Sequence, residues 1–312
     1  MKRKLIIPVL LLLTMASCKK YEDFATDFNY TTAYFAYQNP VRTVFSDNLE
    51  IEVGALMAGR RENNKNETIS YRIAPELLTN TSIVGTKVFK LLPADYYTLS
   101  SPGTLTIPSG EFLGKATLKL DASKFLSDPS ALSNTYALPL LITGTTLDSV
   151  LVGNAAGVPR KDYTIIVVKY ISQFHGVYYQ RGLREKYDQS GTLVNVLKYV
   201  ADNEESEYVK NRVWNLNTIN ANTLVSTGVG ENLSVTGKNY SLNLSVAADA
   251  KVSILNNPAS LIKNITDLGN SRYDAAKKSM YLNYQYIGDD NMRYVMKDTL
   301  NFRNDGLKLE LW

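Results

Sequence analysis

A single histidine, His175, is the only imidazole available for acid–base work in this 312-residue chain. Any Ser-His-Asp arrangement would have to use it. It lies in Phe174-His175-Gly176, and no Gly-x-Ser-x-Gly elbow occurs anywhere, so His175 reads as structural. Glycoside hydrolysis needs two opposed carboxylates. The clustered acids are Glu204, Glu205 and Glu207, in a polar stretch between strands, and Asp289 and Asp290, before Asn291 in a turn sequence. Both sets read as solvated loops, and the Asp289–Asn291 spacing does not match an EF-hand. One cysteine and one histidine exclude intrachain disulfides and His- or Cys-rich metal sites. The expectation is a protein with no catalytic residues, no metal and no cofactor.

Rings are the remaining chemistry. The chain holds 21 Tyr against 9 Phe and 2 Trp. Sugars are commonly held with a ring under the apolar face of the pyranose and polar side chains on the hydroxyls. Tyr178, Tyr179, Trp214, Tyr284 and Tyr286, in the Tyr- and Asn-rich second half, are the candidate glycan-binding rings. Tyrosine is also a good strand former, so the same residues suit a core or cross-strand pairs. Asp148-Ser149-Val150 and Asp298-Thr299-Leu300 match a loose O-glycosylation pattern. Ser149, near an expected loop, is the better candidate.

Basic residues number 34 and acidic residues 30. Residues 1–17 hold three of the basic ones (Lys2, Arg3, Lys4) and no acid, so the remainder is close to neutral. Such a balance gives no electrostatic footprint for nucleic acid. Lys2-Arg3-Lys4 precedes an apolar run from Leu5 to Leu13, too short for a permanent span and suited to a signal-peptide core. Met15-Ala16-Ser17-Cys18 then resembles a bacterial lipobox. That resemblance implies cleavage before Cys18, acylation of its thiol and new amine, and an anchor in outer-membrane lipid. The charged segment Lys19-Lys20-Tyr21-Glu22-Asp23 resembles the surface-export signal of Bacteroidetes lipoproteins. The expected location is the outer membrane, facing the exterior, with the periplasmic leaflet as the alternative.

The elements that must position these residues are short strands. Ile51–Leu56, Thr68–Ile73 and Lys115–Leu120 alternate with period two. Tyr136–Ile142 carries Pro139, which suits an edge or bulged strand. Tyr163–Tyr170 is a β-branched run expected to be well buried. Pro75–Leu78 and Asp121–Leu126 read as short helical pieces, started by a proline and capped by an aspartate respectively. After a boundary near Ser172, strands are expected at 174–182, 193–200, 212–216, 224–227, 240–247 and 251–255. A hairpin follows, with arms 279–287 and 292–302, and residues 307–312 read as a final strand or a loose tail.

The order Leu91-Leu92-Pro93-Ala94-Asp95-Tyr96-Tyr97-Thr98-Leu99, Leu105-Thr106-Ile107-Pro108-Ser109-Gly110, the 115–120 strand and Tyr136-Ala137-Leu138-Pro139-Leu140 carries a resemblance. Over roughly residues 30–170 it resembles the N-terminal domain of unknown function of Bacteroidetes surface lipoproteins encoded in polysaccharide-utilisation loci. The second half, 173–312, resembles the β domain often paired with it. The resemblance implies an immunoglobulin-like sandwich, glycan capture and a neighbouring outer-membrane transporter. In some relatives the first domain precedes a glycosidase, but the acidic strand motif of family-eighteen chitinases is absent here.

The expected fold is all-β. It comprises a signal peptide (1–17), a lipidated tether (18–29), a β-sandwich (30–172) and an antiparallel barrel or sandwich (173–312), with a calycin-like barrel open as a possibility. The expected function is non-catalytic capture of polysaccharide or oligosaccharide at the cell surface. An apolar-ligand carrier built on a calycin-like barrel is the alternative, and a glycoside hydrolase the third reading. Replacing Cys18 by Ser should abolish incorporation of labelled palmitate and release the protein from the membrane fraction. A Cys18→Ser chain that still takes up label would contradict the lipobox reading.

Overall fold

The computed structural model describes residues 30–153, 157–199 and 212–312. Strand accounts for 51% of the structure and helix for 7%, which makes the chain all-β. Cys18 and the tether lie outside the described residues, as do Glu204, Glu205 and Glu207.

Among the described residues the first half holds eleven strands. They are β1 (Thr32–Tyr34), β2 (Pro40–Phe45), β3 (Glu50–Ala58), β4 (Glu67–Ile73), β5 (Lys90–Leu91), β6 (Tyr97–Leu99), β7 (Thr104–Ile107), β8 (Leu113–Leu120), β9 (Tyr136–Thr145), β10 (Ser149–Val150) and β11 (Tyr163–Ile171). The second half adds β12 (Gly176–Tyr187), β13 (Leu193–Lys198), β14 (Arg212–Thr218), β15 (Thr223–Ser226), β16 (Gly228–Val229), β17 (Asn232–Leu233), β18 (Leu242–Val246) and β19 (Val252–Asn256). It continues with β20 (Thr266–Asp267), β21 (Arg272–Asp274), β22 (Ser279–Ile287), β23 (Arg293–Asn304) and β24 (Glu310–Leu311).

Two sheets form the N-terminal sandwich. One has the order β10-β1-β3-β8-β6, and the other β24-β2-β11-β9-β4-β7. Period-two alternation turns Ile51, Val53, Ala55 and Met57 of β3 toward Ile166, Val168 and Tyr170 of β11. β11 is buried on both faces, as its β-branched run predicts. Its other face, through Ile165 and Val167, packs under Leu77 and Val84 from the two short helical turns Pro75–Thr79 and Thr81–Val84. Asp121 caps the expected turn at Ala122–Phe125 by accepting from the Lys124 amide.

Pro139 does not lie on an edge. β9 is flanked by β11 and β4. The Pro139 carbonyl accepts from the Ala74 amide just past the last residue of β4. The side of β9 that lacks an N–H therefore faces the point where its neighbour stops, and no ladder bond is lost.

The second half is a barrel. Its sheet runs β19-β18-β15-β14-β12-β23-β22-β20. The two ends meet through Asn256, whose amide bonds both ways with the Ile265 backbone, and through Asp267, which accepts from the Ile254 amide. The Val252 amide also donates to the Ser271 carbonyl. Trp214, Tyr178, Tyr284 and several Leu and Met side chains fill the interior.

His175 sits at the junction, where its Nδ1 contacts the Thr218 amide and hydroxyl. The Ser172 amide donates to that same hydroxyl, and Ser46 of the sandwich bridges Gln173 and Ala221. Burial lowers the His175 pKa from its usual value. The residue serves as a joint.

The end of the chain is a final strand, but it joins the sandwich and not the barrel. Glu310–Leu311 does not stay with the barrel but pairs antiparallel with Pro40–Val41 of the sandwich. Glu310 accepts from Lys169 Nζ at 2.6 Å and from Asn134 at 2.8 Å. Trp312 Nε1 donates to the Ile165 carbonyl at 2.8 Å, and its ring meets Phe89 edge-on at 4.9 Å. The segment straps the barrel's last strand to the sandwich. Replacing Trp312 by Ala should cost about 2 kcal/mol, read by urea unfolding, because it deletes a partly buried ring and leaves a carbonyl unpaired. An unchanged midpoint would show that the strap adds nothing.

Candidate functional site

A concavity lies in the sandwich, and the path of the chain creates it. β1 pairs with β3 only through Ala58, Met57 and Leu56. The backbone then leaves this sheet and crosses to the other over residues 35–39 before entering β2. On that side β3 has no strand partner from Glu50 to Ala55 among the described residues; its other side is fully laddered to β8. The result is a groove of about 530 Å³ between the exposed edge of β3 and β2. That size suits a few sugar rings or a comparable small ligand.

The lining divides by chemistry. Val44, Ile51, Val53 and Ile166 supply an apolar floor continuous with the core. Tyr37, on the crossing segment, stands at the mouth with half its surface exposed (50%). Arg42, Glu50, Glu52 and Lys115 are the charged lining groups. Lys115 Nζ meets Glu52 at 2.8 Å, and Lys119 Nζ meets Glu50 at 3.3 Å. Such exposed pairs add little stability but hold the carboxylates toward lysines. A half-exposed ring, a ring of polar groups and an open strand edge can grip a molecule with one apolar face and many hydroxyls.

The rings expected to do this are placed elsewhere. Tyr178, Trp214, Tyr284 and Tyr286 are all buried in the barrel core. Tyr178 donates to the Phe174 carbonyl and meets Phe302 edge-on at 5.5 Å. Tyr286 stacks on Tyr294 at 5.1 Å. These four residues present no platform to a ligand. The alternation of each strand turns them inward beside Leu216, Leu282 and Met296. Tyr179, one residue on from Tyr178, points the other way and is half-buried, with the Arg303 guanidinium 5.3 Å above its ring. Ser149 lies next to loops, in the two-residue β10, where its hydroxyl donates to the Thr31 carbonyl at 3.0 Å. Asp148 accepts from the Thr31 amide and hydroxyl. The tripeptide thus clamps β1, and glycosylation of Ser149 would break that bond.

Asp290 accepts from Tyr294 at 2.7 Å and pairs with Lys186 at 2.8 Å, and that lysine is the main reason its pKa falls to about 2. It remains an ionised turn residue. The unusual carboxylate is Asp298, which the sequence offered only as a strand residue opening the Asp298-Thr299-Leu300 tripeptide. It is buried and accepts from Tyr284 at 2.6 Å, Tyr199 at 2.7 Å and Gln180 at 2.7 Å. Desolvation outweighs these three bonds and raises its pKa to about 6. The Tyr284 hydroxyl in turn accepts from the Gly230 amide. Gly182 is required beside it, since a Cβ there would stand 2.6 Å from Asp298 Oδ1 and from the Tyr199 ring. Among the described residues no second carboxylate shares these bonds, and Glu231 is engaged by Arg184. The cluster reads as a packed polar layer of the barrel.

Residues 28–149 match a family model described as "-like, N-terminal domain". No curated protein matches the chain. Among solved structures, a Bacteroides ovatus protein of unknown function is 24% identical, with a TM-score of 0.70 over 91% of this chain and 99% of its own. A multidomain Bacteroides ovatus protein including DUF1735 is 13% identical, with a TM-score of 0.38 over 88% of this chain and 94% of its own. A Bacteroides ovatus ATCC 8483 protein proposed to bind carbohydrate is 15% identical, with a TM-score of 0.32 over 72% of this chain and 67% of its own. The first shares the two-part all-β architecture from end to end, and the other two are too remote to carry an argument.

The Asp298 pKa lies above its unfolded value of 3.8. Its contribution to stability is therefore complete below about pH 4 and is lost as the pH rises through about 6. An Asp298→Asn chain should lack this slope. Its unfolding free energy relative to the parent should rise by no more than about 3 kcal/mol between pH 4 and pH 7. Parallel pH profiles for the two chains would contradict the assignment.

Proposed function

We propose that the chain is a non-catalytic glycan-binding lipoprotein, anchored through Cys18 in the outer leaflet of the outer membrane. It would hold polysaccharide or oligosaccharide for a neighbouring transporter. The groove beside β3 carries this reading. It combines the half-exposed Tyr37 ring with charged groups and an unpaired strand edge in a space of sugar-sized volume. The surface location rests on the basic start, apolar run and Cys18 of the leader.

Two observations weigh against the other readings. An apolar-ligand carrier needs a lumen, whereas Trp214, Tyr178, Tyr284 and their neighbours occupy the barrel interior. A glycosidase needs two free carboxylates across a cleft. In the groove, Glu50 and Glu52 lie two residues apart on one strand, and each is held by a lysine.

The test is retardation of the chain from Lys19 onward in native gels containing polysaccharides, with each glycan checked for breakdown products. Retardation without products is expected. Tyr37→Ala should weaken it at least tenfold, about 1.4 kcal/mol, with an unchanged unfolding midpoint because the ring is half in solvent. Appearance of products would overturn the non-catalytic reading. Full retention of binding by Tyr37→Ala would move the site away from the groove.

A further inference from the structure

The charges around the groove are not evenly matched. Glu52 is paired with Lys115, and Glu50 with Lys119. Arg42 is the exception: its side chain has no hydrogen bond or ion pair among the described residues. It is half-buried, and it shares its strand face with Pro40 and with the core residue Val44. Its stem therefore rises from between the two sheets, with Thr164 and Ile166 of β11 also lining the space.

Its guanidinium has no partner within the described residues and all its donors are available to a ligand. Its planar fork matches a carboxylate in a bidentate geometry, which makes it a specific receptor for that group and a poor one for a lone hydroxyl. The two carboxylates that would repel an acidic ligand are already neutralised by lysines. With Glu52 beside Lys115 and Glu50 beside Lys119, Arg42 is the lining charge left without a partner among the described residues, and Tyr37 lines the same groove.

We infer that the groove is selective for glycans bearing carboxylates, with Arg42 receiving the carboxylate of a uronic acid residue while Tyr37 covers a sugar face. This inference rests on the groove being the glycan site and adds the class of sugar that it takes. Apolar contact with the ring alone would bind neutral and acidic sugars alike. The unpaired guanidinium supplies the discrimination.

The experiment compares two uronans, polygalacturonate and alginate, each with its own carboxyl-reduced form, so that only the carboxylate differs. The chain from Lys19 onward is titrated with each at low and moderate salt. At least one uronan should bind at least tenfold more tightly than its reduced form, with the difference shrinking as salt increases. Arg42→Gln should remove most of that preference. Arg42→Lys, which keeps the charge but not the fork, should restore only part of it. Equal binding of a uronan and its reduced form would overturn the carboxylate selectivity and leave the glycan reading standing. A preference that survives Arg42→Gln would overturn the assignment of the carboxylate to Arg42. Failure of every polymer, neutral or acidic, to bind the parent chain would overturn both.

Discussion

The short pairing of β1 sets the character of the N-terminal half. After three residues alongside β3, the backbone abandons one sheet for the other. A sandwich in which that strand ran on would have covered the edge of β3 and closed the gap between the sheets. Instead the crossing at 35–39 leaves an open edge, lifts Tyr37 to the rim and brings Arg42 into the space behind it. The clamp of Asp148 and Ser149 on Thr31 fixes where β1 begins. The parallel ladder of β2 with β11 fixes where the crossing ends. An exposed strand edge invites unwanted pairing, and the charges of Glu50 and Glu52 along it discourage that outcome.

The barrel is organised by a different constraint. Its strands bring Asp298 inside, and an unpaired carboxylate there would be costly. Two tyrosine hydroxyls and a glutamine amide converge on it, and Gly182 leaves the room they require. The tyrosines that satisfy this group cannot also face a ligand. The abundance of Tyr in this half is thus explained largely by core packing, ring pairs such as Tyr286 with Tyr294, and hydrogen bonds that finish inside the barrel. The half that looked aromatic enough to bind sugar is the half whose named rings are mostly spent on structure. The strap through Glu310 and Trp312 joins this barrel back to the sandwich near the far face of β2, leaving the groove face clear.

Strand positions were readable from sequence because alternation and turn residues report them directly. Ile51–Leu56, Lys115–Leu120 and the buried run of β11 all fall where periodicity puts them, and Pro75 and Asp121 begin their short turns. The facing of each strand was harder. Tyr178 and Tyr179 are adjacent, and a shift of one residue decides which becomes core. Pro139 suited an edge or a bulged strand, and β9 is central but bulged against β4 between Ile142 and Gly144, while the missing N–H falls where β4 has already ended. The tail was ambiguous because its partner lies some 270 positions earlier in the chain, a pairing that local pattern does not encode. Tyr37 and Arg42 drew no attention for a related reason. The stretch Ala36-Tyr37-Gln38-Asn39-Pro40 has no period, and the only local signal was an aromatic residue close to an Asn-Pro turn.

The central claim is that ligand occupies the groove of the sandwich rather than the barrel. Hydroxyl-radical footprinting of the chain with and without a retarding glycan tests it most directly. The account predicts protection concentrated at Tyr37 and along the open edge of β3, with surface tyrosines of the barrel such as Tyr187 and Tyr281 unchanged. Protection confined to the barrel, with Tyr37 as reactive as in the free protein, would contradict it.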